Sequence, residues 1–191
     1  MFVHATPERC YVPDMSEPFV EMLRGATNTL GRTDEVTELV LANPDRVSEV
    51  YDLFFQDDEW VRLRAASVSK RLWRADPDLF APFIPRWIEK VSAIEQASSR
   101  WTFAQMCEEC DDLLTNTQRD RATEIVVDYL ATENDWIVLN SSMSTLTHWA
   151  KSRPWLAKQI RPDLVRLSGE SRKSVAKRAT KSLDQLSEVL D

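Results

Sequence analysis

Glycine, cysteine and histidine are scarce in this sequence, and their scarcity excludes several classes of protein. Only three glycines, Gly25, Gly31 and Gly169, occur in 191 residues. A many-stranded β protein needs more residues able to adopt φ > 0 in its turns, and a phosphate-binding loop needs clustered glycines. The three cysteines form an odd set without a secretory context. We therefore expect reduced thiols and no disulfide framework.

Long apolar runs are missing as well. No stretch approaches the ~20 apolar residues of a membrane span, and the first residues have neither a basic leader nor the apolar segment of a signal peptide. We expect no membrane partner and a cytoplasmic location. Pro7 and Pro13 interrupt residues 1–16, which predicts an extended N-terminal arm before a single domain over 17–191.

The sequence does contain a recurring apolar stripe. Apolar or small residues stand at i, i+4, i+7 and i+11, which is one face of a helix. The stripe occurs five times, with first positions 42, 42, 36 and 36 residues apart. Its copies are Phe19, Leu23, Ala26 and Leu30; Val61, Ala65, Val68 and Leu72; Phe103, Cys107, Cys110 and Leu114; Leu139, Met143, Leu146 and Ala150; and, more weakly, Val175, Ala179, Ser182 and Leu186.

Second helices are predicted between these stripes. One starts at Asp76 and Pro77, where Pro82 and Pro85 should kink or shorten it, and another runs from about Asn116. A third extends from Pro154 to Gly169, with Leu156, Ile160, Leu164 and Val165 expected to face inward.

The first unit is irregular, with two short helices predicted over 33–42 and 45–55 and split at Asn43 and Pro44. No strand pattern of any length occurs. The spacing of the stripes is close to that of two-helix repeats, so the sequence predicts an all-α fold: an α-α superhelix, or solenoid, of about four to five helical hairpins.

Individual segments resemble HEAT and armadillo repeats. DDEWVRLRAASVSKRL at 57–72 is similar to the HEAT pattern of an acidic turn, Val-Arg, Ala-Ala and then Leu, and SRKSVAKRATKSLDQL at 171–186 is similar to it more loosely. From about Glu17 onward, DWIVLNSSMSTL at 135–146 included, the chain resembles an uncharacterised bacterial HEAT-like group. HEAT-like proteins include scaffolds, chromophore-attaching lyases and alkylpurine DNA glycosylases, so the resemblance implies a shape and leaves the function open.

The residues that most often carry chemistry are few. Cys107 and Cys110 form a CxxC, but both fall in an apolar stripe, so we interpret them as small core residues. His4 and His148 are the only imidazoles, and His148 should lie half a turn from its core stripe. An acidic cluster flanks the cysteines, and we predict that it forms a solvated helical face and not a cation site. It consists of Glu108, Glu109, Asp111 and Asp112. We therefore predict no catalytic, metal-binding or cofactor-binding residues.

Seven tryptophans make an unusually large set, and Trp60, Trp101 and Trp136 each stand near the start of a first helix. Such rings could hold a base, a chromophore or a proline on one face, or could fill the junctions between repeats. We favour packing for these three, and for the other four, Trp73, Trp87, Trp149 and Trp155.

The strongest surface signal is a basic segment. Ten basic and two acidic residues lie between Lys151 and Lys181, whereas the whole chain carries a net charge of −7. The candidate partner-binding residues are Arg161, Arg166, Arg172, Lys173, Lys177, Arg178 and Lys181. They could bind an anionic partner, or could pair with the neighbouring repeat and solubilise the last unit.

Two functions follow as expectations. The first is a non-enzymatic interaction or scaffold module that binds another macromolecule, in the first place a protein, through a helical-repeat surface. The alternative is a nucleic-acid-binding protein or HEAT-like DNA glycosylase that uses the basic C-terminal face. A chromophore-handling lyase is a weaker third possibility.

Overall fold

The chain is entirely helical over the part that a computed structural model describes, residues 17–26 and 29–190, and no strand occurs in these ranges. The predicted arm over 1–16 lies outside them. The α-helices are α1 (Phe19–Met22), α2 (Thr33–Ala42), α3 (Val47–Asp52), α4 (Glu59–Ala75), α5 (Ile84–Glu89), α6 (Ala97–Glu109), α7 (Asn116–Thr132), α8 (Trp136–Ala150), α9 (Pro154–Ser168), α10 (Lys173–Gln185) and α11 (Ser187–Leu190). Short 3₁₀ turns join several of them.

Local sequence explains where the long helices begin. Asp58 and Asp135 each accept hydrogen bonds from two backbone amides in the first turn of α4 and of α8. Thr115 and Gln118 form a capping box at the start of α7. Pro82 and Pro85 do shorten the helix predicted after Asp76, because the chain makes two 3₁₀ turns there before the six-residue α5.

The helices pack in two rows. In the first row, α2 contacts α4, α4 contacts α6, α6 contacts α8, and α8 contacts α10. In the second row, α5 contacts α7 and α7 contacts α9. The two rows meet where α7 packs on α8 and α9 packs on both α8 and α10. A single hydrophobic cluster runs through both rows, from Phe19 to Leu186.

Many side-chain hydrogen bonds between elements join residues 33 to 41 positions apart in sequence. Those that span 36 to 38 positions occur in both rows. They include Arg71 with Asp34, Trp73 with Glu109, Gln105 with Ser141, Ser144 with Glu108, Trp149 with Asp111, Arg166 with the carbonyl of Leu130, and Arg172 with Asn134. Each such bond ties a residue to an element about two helices further along the chain.

Four of the five predicted stripes are buried as expected. All residues of the stripes that begin at Val61, Phe103, Leu139 and Val175 are buried. The predicted inward face of α9 is wrong at one position. Leu156, Ile160 and Leu164 are buried, but Val165 is 53% exposed because it lies on the side of the helix opposite the core.

The first stripe is wrong beyond Leu23. Phe19 and Leu23 are buried, but α1 ends at Met22 and Leu30 is 47% exposed. The chain leaves the helical path where Gly25 and then Gly31 adopt positive φ angles of 145° and 57°. A continuous helix over 19–30 would not have required a positive φ angle at either glycine.

The loop after α1 folds around one buried arginine of α4. Arg64 Nη1 donates to the carbonyls of Leu23 and Gly25 over 2.7 and 3.0 Å, and its Nε donates to the carbonyl of Thr29 over 2.9 Å. Arg64 is 1% exposed. A loop bound by Arg64 therefore stands where the stripe predicted a continuous helix.

Small side chains let the helices of the first row approach closely. Ser99 and Thr102 of α6 and Ser142 and Thr145 of α8 are buried. Thr145 Oγ1 donates to the carbonyl of Ala104 on the neighbouring helix over 2.8 Å, a contact that requires near approach of the two backbones. The exposed side of this row carries the candidate site.

Candidate functional site

A groove crosses the exposed side of α4, α6, α8 and α10, and we call it the central groove. Its volume is about 480 Å³, within the range of about 300–1,000 Å³ typical of ligand sites. It is lined by Lys70 and Arg74 of α4, Gln105, Glu108 and Glu109 of α6, Trp136, Ile137, Asn140, Ser141 and Ser144 of α8, and Arg178 of α10. Four successive helices of one row thus contribute to a single surface depression.

Neutral polar groups occupy the middle of the central groove. Gln105 Nε2 donates to Ser141 Oγ over 3.1 Å, and Ser144 Oγ donates to Glu108 Oε1 over 3.1 Å. Gln105 Oε1 and Asn140 Oδ1 are buried and accept no hydrogen bond from any described residue. Buried polar groups are normally satisfied, so these two amides are candidates for a bound partner's donors.

Glu109 lies at the edge of the groove and is held by two neighbours. It accepts hydrogen bonds from Trp73 Nε1 over 2.8 Å and from Arg74 Nε over 2.6 Å. Burial alone would raise the pKa of Glu109, but the hydrogen bonds from Arg74 and Trp73 outweigh it and lower the pKa below its usual value. The Glu109 carboxylate therefore contributes to packing between α4 and α6 through these two hydrogen bonds.

Asp111, two residues further along the chain, makes the equivalent contact with α8. It accepts from Arg119 Nε over 2.5 Å and from Trp149 Nε1 over 2.9 Å, and His148 Nε2 lies 3.4 Å from its second oxygen. Burial opposes ionisation of Asp111, yet these partners lower its pKa. Glu109 is exposed, as expected for a solvated face, whereas Asp111 is partly buried, and both carboxylates hold neighbouring side chains. His148 lies at the surface, as predicted.

The tryptophans divide into buried and exposed sets. Trp73, Trp87 and Trp149 are buried, as predicted. Trp60 and Trp101 are partly buried and line a separate, mainly apolar hollow together with Leu63. The packing prediction is wrong for Trp136 and Trp155, which are 49% and 56% exposed. Of these two, Trp136 lines the central groove and Trp155 lies on α9 in the other row.

The residues of the predicted basic set lie in different places. Arg166 pairs with Asp163 and also donates to the carbonyl of Leu130, while Arg172 pairs with Glu170 and contacts Asn134. Arg161 and Lys173 are exposed and line neither of the cavities discussed here. The structure brings together only the remaining three.

Those three residues form a second cavity, which we call the basic pocket. Its volume is about 320 Å³, and its lining is Asn140, Ser174, Lys177, Arg178 and Lys181. Asn140 and Arg178 line the central groove as well, so the two cavities are continuous. Lys177, Arg178 and Lys181 form no ion pair with any residue in the described ranges.

Several groove residues escaped sequence analysis, above all Lys70, Gln105, Asn140 and Ser144. A signal for them does exist in α8. Trp136, Asn140, Ser144 and His148 follow one another at intervals of four, on the one stripe of a mostly buried helix that meets solvent. This solvent-exposed stripe of one ring and neutral polar side chains is the pattern by which the groove could have been found from the sequence.

The two thiols among the described residues are shielded from solvent. Cys107 and Cys110 are both buried, as predicted. Burial raises the pKa of Cys107 well above its usual value and that of Cys110 to about 11. Both sulfurs are therefore protonated at neutral pH and act as small core groups.

Two further searches concern the described residues only. No cluster of three or more histidine, cysteine or acidic side chains in residues 17–26 and 29–190 could hold a metal ion. None of the helices described there is long and apolar enough to cross a bilayer.

Neither a protein-family model nor the sequence of a curated protein matches this chain.

Proposed function

We propose that this protein is a non-catalytic interaction module: a HEAT/armadillo-like stack of helical hairpins that holds a segment of another macromolecule, in the first place a protein, in its central groove. The repeat is supported by the two rows of helices in chain order and by hydrogen bonds that recur at 36 to 38 residues. Such stacks bury their cores between neighbouring hairpins and leave an elongated surface for binding.

The observation that carries the proposal is the lining of the central groove. Trp136 is half-exposed there, and the amide oxygens of Gln105 and Asn140 find no partner among the described residues. Large aromatic rings are enriched at protein interfaces, and a bound segment would supply donors to the amides. No thiol or imidazole lines this groove. Its function is therefore best described as binding.

Photo-crosslinking from two exposed tryptophan positions tests the proposal. The photoreactive residue benzoylphenylalanine replaces Trp136 in one variant and Trp155 in the other, because both rings are about half-exposed but lie on different rows. Each variant is expressed and irradiated in the native cell, and crosslinked molecules are identified by mass spectrometry. We expect a stoichiometric adduct from position 136 and none from position 155.

Crosslinking that is equal at both positions, or absent from position 136, would contradict the proposal. Turnover of a small substrate by the purified protein would contradict its non-catalytic part. Circular dichroism of each variant verifies that the helices are intact, so that a negative result reports on the groove and not on folding.

A nucleic-acid partner is the second candidate, and one observation favours it. Lys177, Arg178 and Lys181 are cations without an ion pair in the described chain, and Trp136 offers a ring on which a base could stack. A labelled DNA duplex titrated at several salt concentrations separates the candidates. Three phosphate contacts predict that log affinity falls with log salt at a slope of about −2.7. A glycosylase would in addition release an alkylated base from that duplex.

A further inference from the structure

Four cationic side chains around the groove form no ion pair with a described residue, as is also true of Lys151, Lys158, Arg161 and Lys173 outside it. Arg74, Arg119, Arg166 and Arg172 each pair with a carboxylate. Lys70 and the three cations of the basic pocket pair with none in the described chain. The unpaired cations lie on opposite sides of the groove, Lys70 on α4 and the others on α10.

Lys70 is the most constrained of the four. It is partly buried, and its pKa is lowered by burial and by the nearby charges of Arg74 and Arg71, against the opposing charge of Glu109. A negative group bound beside it would act in the same direction as Glu109. Lys70 therefore places a cation on this side of the groove as well.

The floor between the two cationic sides is neutral or acidic. Gln105, Asn140, Ser141 and Ser144 offer amides and hydroxyls, and the carboxylates of Glu108 and Glu109 also line the groove. A ligand that crosses it must carry negative charge at one or both ends and little or none over Glu108. A peptide can meet this condition, because its charge depends on the side chain at each position.

We propose that the central groove and the basic pocket together bind an extended acidic peptide segment of a partner protein, with its carboxylates on Lys177, Arg178 and Lys181. An apolar side chain of the peptide packs on Trp136, and its backbone amides donate to Asn140 and Gln105. The inference deepens the interaction function proposed above and rests on it.

Charge placement favours a peptide over a nucleic-acid strand. A strand carries one phosphate at every nucleotide, so it would set phosphates against Glu108 and Glu109 wherever it crossed the floor. The remainder of the protein is acidic as well, with a net charge of −7 for the whole chain. Local positive charge at the two ends and none between them matches a short acidic segment better than a continuous polyanion.

The span of the row sets the length of the segment. Helix axes in contact lie about 8–10 Å apart, so three steps from α4 to α10 cover about 27 Å. An extended chain advances about 3.3 Å per residue, which gives about eight residues. A twelve-residue probe is therefore long enough to fill the groove.

A display library of random twelve-residue peptides, panned against the full-length protein, tests the inference. We expect enriched peptides to carry at least two carboxylates and one large apolar residue, and fluorescence anisotropy then gives their affinity. The triple variant K177Q/R178Q/K181Q should weaken binding of these peptides about 10-fold, since each exposed charge pair contributes modestly.

The control variant K90Q/K151Q/K158Q changes the net charge by the same amount at exposed residues that line neither cavity. We expect it to bind the same peptides within about twofold of the original protein. An equal loss in both variants would show that net charge alone attracts the peptides, and would overturn the inference. Thermal melts of both variants establish that each is folded.

Enrichment of basic or uncharged peptides, or of none, would overturn the inference too. So would tighter binding of a dT12 oligonucleotide than of any enriched peptide. None of these results decides the broader interaction function, which the crosslink from position 136 tests separately. A crosslinked partner without preference for acidic peptides would leave that function standing and remove only the acidic segment.

Discussion

Trp73 of α4 and Glu109 of α6 share a hydrogen bond of 2.8 Å from the indole Nε1 to the carboxylate Oε2, and Trp149 repeats the arrangement with Asp111. In both pairs a buried ring places its one polar atom on an acid near the end of α6. Buried indoles usually find such an acceptor. The two acids thus connect α6 to the helices on either side of it.

Replacing Glu109 by glutamine should destabilise the protein by about 1–2 kcal/mol at pH 7, because the charge that holds Arg74 and Trp73 is lost. The pKa of Glu109 is lowered in the folded state from a usual value of 4.5. Its contribution is therefore present above that value and is lost as the pH falls through the folded pKa. Urea unfolding at pH 7 and pH 3 should show the difference between variant and original protein shrinking at the lower pH.

Glu124→Gln is the matched control for that experiment. Glu124 forms an exposed pair with Arg121 within α7, so its loss should change the unfolding free energy by less than about 0.5 kcal/mol. A Glu109 variant that behaves like this control would mean that the Trp73 contact contributes little.

Replacing Arg64 by methionine should cost about 3 kcal/mol, because the carbonyls of Leu23, Gly25 and Thr29 lose their donor. Hydrogen exchange should report the effect locally, as faster exchange of amides in residues 19–26 and 29–32. Lys90→Met removes the same charge from an exposed position and should leave this exchange unchanged. Unaltered protection in the Arg64 variant would contradict the role given to its side chain.

Two buried hydroxyls of α8 should respond in opposite directions. Ser142 Oγ is buried without a hydrogen-bond partner among the described residues, so Ser142→Ala should be neutral or stabilising by about 0.5 kcal/mol. Thr145 Oγ1 donates to the carbonyl of Ala104, so Thr145→Val should destabilise by about 1 kcal/mol. Thermal unfolding of the two variants side by side measures the contrast, and effects of the same sign would contradict it.

The thiols of Cys107 and Cys110 should resist alkylation in the native protein. Both are buried, and the pKa of Cys110 is raised to about 11, so little thiolate forms at pH 8. Iodoacetamide labelling with and without urea, mapped by mass spectrometry, should modify the two residues only in urea. Rapid labelling of the native protein would show that the end of α6 opens readily.

Sequence patterns predicted the core face best where an apolar stripe is uninterrupted. At α4 and α8 the stripes that begin at Val61 and Leu139 are buried as predicted. Asp58 and Asp135 cap the first turns of these helices, a boundary signal that the stripes by themselves do not give. The prediction from the first stripe was wrong because local periodicity carries no information about hydrogen bonds from a side chain far away in sequence. Arg64 lies about 40 residues from the carbonyls it binds.

The candidate groove was only partly predictable. The excess of cations in the C-terminal third is visible in composition, and Lys177, Arg178 and Lys181 do line one pocket. The position of Arg178 in one groove with Lys70 and Gln105 depends on how four successive helices of the first row align. Exposure of Trp136 was missed because a tryptophan near a helix start has the same local sequence whether it packs inward or outward.

Side-chain contacts that span 36 to 38 residues also set the size of the loops that a folding chain must close. The entropy lost on closing a loop grows slowly with its length, so every such closure carries nearly the same cost. No single closure dominates the barrier, and each completed hairpin offers a surface on which the next one can form. Because no closure is favoured over the others, folding can begin at any pair of neighbouring hairpins and spread from there.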